Sequence, residues 1–264
     1  MKKTILCGAL AVVAFGCSDK NDDPIPSSKN LYPSKIVKTE GDAVSATIYE
    51  YDAQNRLIKS IETDNYKDIT TTTVTYTYTN NLLSEVRSVQ TATNEETIYR
   101  SVLNYVNGQL TTVFEYSGSE TTTSNRDSLF YNGGTLPNIV KQHNGFESNT
   151  LTYDLVGNKM AVMYSDKQNK TGETTLSYDT NHRHYTWCIP TPTDILGQFA
   201  YCPTRVEGTW TQDGIVTAKE TTSFSYTFNA DGYPTKVIVS EVGDDLTAKN
   251  EDYTSTETIE ITYK

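Results

Sequence analysis

Few residues in this chain have types and spacings suited to chemistry. His182 and His184 alternate along a stretch of extended character, so a regular strand would point both to one side, a feasible pair of metal ligands. Only Asp179 lies close enough in sequence to join them, and zinc motifs space their ligands more tightly. Two exposed turn histidines is the simpler reading, and neither a metal nor another cofactor is expected. His143 adjoins the turn pair Asn144-Gly145. Neither a Gly-x-Ser-x-Gly elbow nor a His-Glu-x-x-His pair occurs. Ser128 and His143 are the one serine–histidine pair close in sequence, joined by nothing beyond proximity, so no catalytic residue is assigned. Asp22-Asp23, Asp244-Asp245 and Asn229 to Asp231 offer weak calcium ligands without the EF-hand pattern.

The aromatics and cysteines of residues 185–210 form the other chemical cluster. Trp187 and Trp210, the only two tryptophans, flank a segment that also carries Tyr185, Phe199 and Tyr201. These five are the candidate ligand-binding residues, because a long loop rich in aromatics is uncommon in a compact domain unless it carries function. The competing reading is structural, with the aromatics plugging an end that the strands leave open. Cys188 and Cys202 are the two cysteines left once Cys7 and Cys17 are assigned to a leader and its cleavage site. In an oxidising compartment they are expected to pair, closing a loop of about fifteen residues; two buried free thiols is the alternative.

The elements that must position these residues are strands. Past residue 33 no stretch of ten or more residues keeps helical apolar spacing, whereas alternation of period two recurs. Val74, Tyr76 and Tyr78 fall on one face, opposite Thr71, Thr73, Thr75, Thr77 and Thr79. Phe224, Tyr226 and Phe228 oppose Ser223, Ser225 and Thr227 in the same way. One face is buried and the other wet. Aromatic strand ends precede polar turns again and again: Tyr51 before Asp52 to Arg56, Tyr78 before Asn80-Asn81, Tyr105 before Asn107-Gly108, Phe228 before Asn229 to Gly232. Tyr51, Tyr78 and Tyr105 are separated by 27 residues, room for two strands and two turns. Continued to Tyr263, the pattern gives roughly sixteen strands joined as sequential hairpins, a meander. The step from Tyr178 to Phe228 is 50 residues, near twice the usual one. Pro190, Pro192 and Pro203 in that interval predict an insert over about 185–210 that breaks the meander.

Ahead of the strands, Lys2 and Lys3 precede an apolar run from Ile5 to Phe15, too short to span a bilayer, and a small residue, Gly16, precedes Cys17. This marks residues 1–16 as a leader; cleavage elsewhere would instead leave Cys17 as a stray thiol. Residues 17–33 follow as an acidic, proline-bearing tether, and residues 34–264 as a single all-β domain. The formal charge of −11 becomes two units more negative when Lys2 and Lys3 leave, which disfavours nucleic acid and anionic membrane surfaces as partners.

Ala14-Phe15-Gly16-Cys17 resembles the lipobox of bacterial lipoproteins, in which the cysteine carries lipid, although Phe15 departs from the usual small or aliphatic residue. Ser18 to Asp23 resembles the acidic tag that sends some lipoproteins to the outer face of the outer membrane. Tyr51-Asp52, Tyr153-Asp154 and Tyr178-Asp179 resemble the YD repeats of bacterial shell-forming proteins. Together these features resemble a family of surface lipoproteins of unknown function described as having a porin-like fold. The resemblance implies lipid anchoring at Cys17, membrane contact through that anchor alone, and no stated activity. With threonine opposite the tyrosines and a mean hydropathy of −0.53, the expected architecture is an antiparallel meander closing into a soluble, flattened or partly open barrel with the tyrosines inside. The function expected of it is non-enzymatic binding or scaffolding at the cell surface, with an extracellular glycan or polypeptide as partner. A hydrolase with a site on its loops, or a carrier holding an apolar ligand in the lumen, are the alternatives.

Overall fold

The computed structural model describes residues 30–65, 70–92, 95–118, 123–132, 137–143, 148–156, 159–166, 170–190, 201–245 and 253–264. Residues 1–29, which include the expected leader, Cys17 and most of the expected tether, lie outside them. Half of the barrel is β1 (Pro33–Glu40), β2 (Ala43–Tyr51), β3 (Leu57–Asp64), β4 (Thr70–Thr79), β5 (Leu82–Ala92), β6 (Glu95–Val106), β7 (Gln109–Ser117) and β8 (Thr123–Phe130). The other half is β9 (Ile139–His143), β10 (Ser148–Val156), β11 (Lys159–Ser165), β12 (Lys170–Arg183), β13 (Tyr201–Gln212), β14 (Ile215–Phe228), β15 (Pro234–Asp245) and β16 (Tyr253–Tyr263). Each strand pairs antiparallel with its neighbours in sequence, and β16 returns to β1 through pairs such as Ile36↔Ile261 and Lys38↔Ile259. The meander is thus a closed sixteen-stranded barrel, not a partly open one. Closure leaves no exposed sheet edge, the aggregation hazard of an open meander.

The turns follow from residues that accept positive φ. Asn107 and Gly108 have φ of 51° and 80°, and Asp213 and Gly214 have 52° and 79°. Two successive positive values define the two-residue hairpin whose twist matches the flanking strands. Asn80 and Asn81, at 52° and 65°, make the same turn without glycine, since asparagine tolerates this region better than other side chains.

One structural unit repeats around the end of the barrel at which β1 begins and β16 finishes, here termed the tyrosine end. A tyrosine closing an even-numbered strand donates its hydroxyl to the carbonyl of a residue that opens the preceding odd-numbered strand. Tyr51 donates to Pro33 at 2.9 Å, Tyr78 to Leu57 at 3.0 Å, Tyr105 to Leu83 at 2.9 Å, Tyr131 to Leu110 at 2.8 Å, Tyr226 to Pro203 at 2.7 Å and Tyr263 to Pro234 at 2.7 Å. Those acceptors are mostly free because the next residue is the extra one of a β-bulge, where the ladder is interrupted. The bulged residue is often Ser or Thr, and its hydroxyl caps the carbonyl across the hairpin: Ser84 to Thr77, Thr111 to Asn104, Thr204 to Ser177, Thr235 to Thr227. Proline fits the acceptor position, since a residue beside a bulge needs no ladder N–H. Pro203 therefore lies within β13, contrary to the expectation that it excludes a strand.

The inward face is apolar at this end. Leu83, Leu103, Leu110, Val113, Leu129, Val140, Leu151 and Leu176 of β5–β12 form one buried cluster, with Leu110 and Val140 fully inaccessible. Ile36, Leu57, Val237, Ile259 and Ile261 form a second. A sixteen-stranded barrel of circular section leaves an aqueous channel; burial this complete means that opposite contents of the lumen meet. Two cross-strand pairs set an aromatic ring on a glycine: Trp210 covers Gly172, and Tyr253 covers Gly243. A Cβ at either glycine would fall within the ring, so close approach, not backbone freedom, requires glycine at both.

Candidate functional site

The segment between β12 and β13 is shorter than the predicted insert, because Tyr201 to Gln212 is strand. Its described part, residues 184–190, turns into the tyrosine end. Tyr185 and Ile189 are buried in the second core cluster against Ile36, Leu57, Val237 and Ile259. Trp187 donates its indole N–H to the Leu31 carbonyl at 3.3 Å and packs beside Tyr32, with rings 5.5 Å apart, while the Arg183 guanidinium lies 5.0 Å from its ring. Trp210 lies toward the opposite end, edge-on to Tyr164 at 5.8 Å. Tyr201 packs against the first cluster, and Phe199 lies outside the described residues. The two tryptophans therefore do not flank one surface. A β-strand carries its residues 3.2–3.4 Å apart, so the length of β13 separates them.

The cysteines are not paired: Cys188 and Cys202 are both free thiols, correcting the expected disulfide. Cys202 is fully buried, its Sγ 3.4 Å from the Arg183 carbonyl. Burial pushes both thiols up to about 12, far from the thiolate form that reacts. The expected outcome with a maleimide at pH 7.5 is near-zero labelling of Cys188 and Cys202 in the native protein and labelling of both in denaturant without reductant. Absence of label in denaturant would identify a disulfide instead.

The paired histidines diverge. Between Asp179↔Cys202 and Arg183↔Tyr201 the register of β12 shifts, and such a bulge abolishes simple alternation. His182 meets Asp179 at 2.7 Å and stacks on Phe228 at 3.9 Å. His184 is buried, 2.6 Å from the Thr186 hydroxyl, and desolvation lowers its pKa to about 3, so it is neutral at pH 7. Among the described residues no group of three His, Cys, Asp or Glu side chains could hold a metal ion. Ser128 and His143 lie on neighbouring strands, paired with Lys141 and Arg126 respectively, and share no hydrogen bond among the described residues. Asn229 is occupied as a turn: its Oδ1 accepts the N–H groups of Asp231 and Tyr233, both at 3.0 Å.

A site that sequence reasoning missed lies inside the barrel, toward the end opposite the tyrosines. A cavity of about 570 Å³ is bounded by Val74 and Tyr76 of β4, Val86 and Ser88 of β5, Tyr99 and Ser101 of β6, Glu115 of β7, Asn125 of β8, and Pro190 from the inserted segment. Arg100, Tyr116, Ser117 and Ser124 complete the wall, so consecutive residues of β6, β7 and β8 border the cavity, and the buried Arg100 Nε has no hydrogen-bond partner among the described residues. Asn125 donates to Glu115 at 2.9 Å. Beside Glu115, Asp127 shares the inward register with Val113 and Gln142 and is only 4% exposed. Desolvation, then the charge of Glu115, lifts its carboxyl to about 7. Elsewhere along the inward face burial also raises Glu220, next to Glu241, and Glu257, which Lys38 partly offsets. The lumen is thus apolar at the tyrosine end and acidic at the other. The signal for this change is the replacement of Leu, Val and Tyr by Glu, Asp, Ser and Asn at inward positions of the same strands.

The arrangement of strands has a counterpart among solved structures. A porin-like protein from Bacteroides uniformis shares the fold. It matches over 88% of this chain and 98% of its own, with a TM-score of 0.56 and 16% identity. A porin-like protein from Bacteroides vulgatus aligns over 89% of this chain and 99% of its own with a TM-score of 0.41 and 13% identity. No family model matches the sequence, and no curated protein matches it. The first likeness extends to the fold alone.

Proposed function

We propose that this protein is a lipid-anchored, non-enzymatic binding module of the cell surface, tethered through Cys17, with its ligand site in the cavity at the acidic end of the barrel. The cavity carries this reading. Its volume lies in the range of small-ligand sites, and it combines aromatic rings with a few convergent polar groups, as such sites do. An extracellular glycan suits it, because Tyr76 and Tyr99 offer flat apolar faces beside hydrogen-bonding Glu115, Asn125, Ser88 and Ser101. The filled tyrosine end argues against a conducting pore. A site outside the bilayer is favoured by the exposed outward residues Thr75, Thr77, Thr79, Ser223, Ser225, Glu260 and Thr262, since a membrane barrel presents an apolar band to lipid.

Protease treatment of intact cells, with membrane fractionation of Cys17→Ala, tests the placement. The domain is expected to be shaved from intact cells, and the variant to leave the membrane fraction. Protection until the cells are permeabilised, or membrane retention of the variant, would overturn it. Saturable glycan binding without product release, weakened by Tyr76→Ala, supports the site; release of a product would make the protein an enzyme.

A further inference from the structure

The outer wall over β5–β9 carries a charge opposite to that of the protein as a whole. The chain has a formal net charge of −11, yet outward positions of these strands hold Arg87, Arg100, Arg126 and Lys141. Their direction follows from alternation: Val86, Leu103, Val113, Asp127 and Val140 are buried, so positions an odd number of residues from each along its strand face outward. Arg100 and Tyr116 border the cavity, but they are paired in register and their side chains meet on the outer side, the guanidinium over the ring at 4.5 Å. Arg87 stands directly opposite Arg100, an arrangement of like charges that costs stability. Glu85 lies 3.9 Å from the Arg100 Nη1, beyond hydrogen-bond distance, and the Arg100 Nε is buried without a hydrogen-bond partner. Arg126 and Lys141 are exposed, and among the described residues no carboxylate forms a salt bridge with either. From Arg87 to Lys141 the patch crosses four interstrand spacings, roughly 19 Å.

We infer that this face of the barrel binds an acidic polysaccharide, its anionic groups held by Arg100 with Arg87 at one end of the patch and by Arg126 with Lys141 at the other. Guanidinium groups bind carboxylates through two parallel hydrogen bonds, and an anion shared by Arg87 and Arg100 relieves their repulsion. A polymer with repeated anions meets both ends of the patch, which one small anion cannot. An anionic membrane would face the whole acidic molecule, whereas a narrow chain lying within a Debye length of the patch, about 8 Å at physiological salt, is screened from the rest. Single-stranded nucleic acid gains affinity by stacking bases on aromatic faces, and here a face of Tyr116 and a face of Phe130 are already taken by Arg100 and Lys141. The patch lies on the outer wall, so its occupation is independent of whether the cavity is a ligand site.

Calorimetric titration of the full chain at low ionic strength with polygalacturonate, dextran sulfate and neutral dextran tests it. The expected result is saturable binding of an acidic polymer and none of neutral dextran. Binding weakens about tenfold in Arg100→Gln and in the double variant Arg126→Gln/Lys141→Gln, the effect of losing hydrogen bonds to charged groups. It changes less than about twofold in Arg205→Gln/Lys219→Gln, which removes two cations exposed on β13 and β14 and alters the net charge by the same amount. Equal loss in that control would show diffuse attraction and overturn the inference. Binding of neither acidic polymer, or equal binding of neutral dextran, would overturn it as well. So would preference for oligothymidylate or for phosphatidylglycerol vesicles, which would assign the patch to nucleic acid or to a membrane. Melting curves confirm that each variant is folded, and the exposed Arg126 and Lys141 keep the test decisive should Arg100→Gln fail to fold.

Discussion

Tyr185→Ala is expected to lower the unfolding free energy by about 3–5 kcal/mol, the range for truncating a large buried aromatic. Tyr185 is 8% exposed and packs among Ile36, Leu57, Ile189, Val237 and Ile259, residues of four different strands and the inserted segment itself. Its ring also lies 4.2 Å from that of His184. Removal would leave a void where the sheet cannot collapse inward, because closure holds the strands at fixed separation. Urea unfolding with an unchanged slope is the measurement. A loss under about 1 kcal/mol would mean that residues 184–190 lie on the barrel without supporting it, and the plug assignment would fail.

Asp127→Asn is expected to do the opposite, raising stability at pH 8 by about 4 kcal/mol while leaving it nearly unchanged at pH 3, since a pKa lifted from 3.8 to about 7 corresponds to about that difference. In the unfolded chain the carboxyl ionises near its ordinary value; in the folded chain, desolvation and Glu115 hold the proton on. As pH rises from about 4 to 7 only the unfolded state releases its proton, so wild-type stability declines through that window, and the full cost persists above it. Asparagine never ionises and escapes the cost. Chemical denaturation of both proteins across that range is decisive: a difference independent of pH would show that the carboxyl is not destabilising.

Much of the barrel was legible because period-two alternation and turn chemistry are local. Tyr76 and Tyr78 opposite Thr75, Thr77 and Thr79 indicated which face is inward, and Asn107-Gly108 and Asp213-Gly214 indicated two of the hairpins. The hydroxyl ladder was not legible. Tyr105 reads as an apolar strand end, and its acceptor at Leu83 lies 22 residues back, freed by a bulge that leaves little trace beyond Ser84. The predicted insert failed for a related reason. Pro203 is incompatible with an uninterrupted central strand, but the shift between Ser177 and Tyr178 removes the need for its N–H. His182 and His184 were placed on one side by alternation that the next shift, between Asp179 and Arg183, cancels.

Residues close together in the chain sufficed for the all-β meander of about sixteen strands and for the tyrosines as inward residues; the lipoprotein-like leader stays an expectation. Closure of the sheet, the free thiols at Cys188 and Cys202, the placement of Trp187 and Trp210 toward opposite ends and the cavity beside Glu115 emerge in three dimensions alone. Each of these depends on pairing register. A shift of one residue reverses which side chains face the lumen, and the shifts are produced by bulges whose positions depend on hydrogen bonds between strands, not on neighbours along one of them.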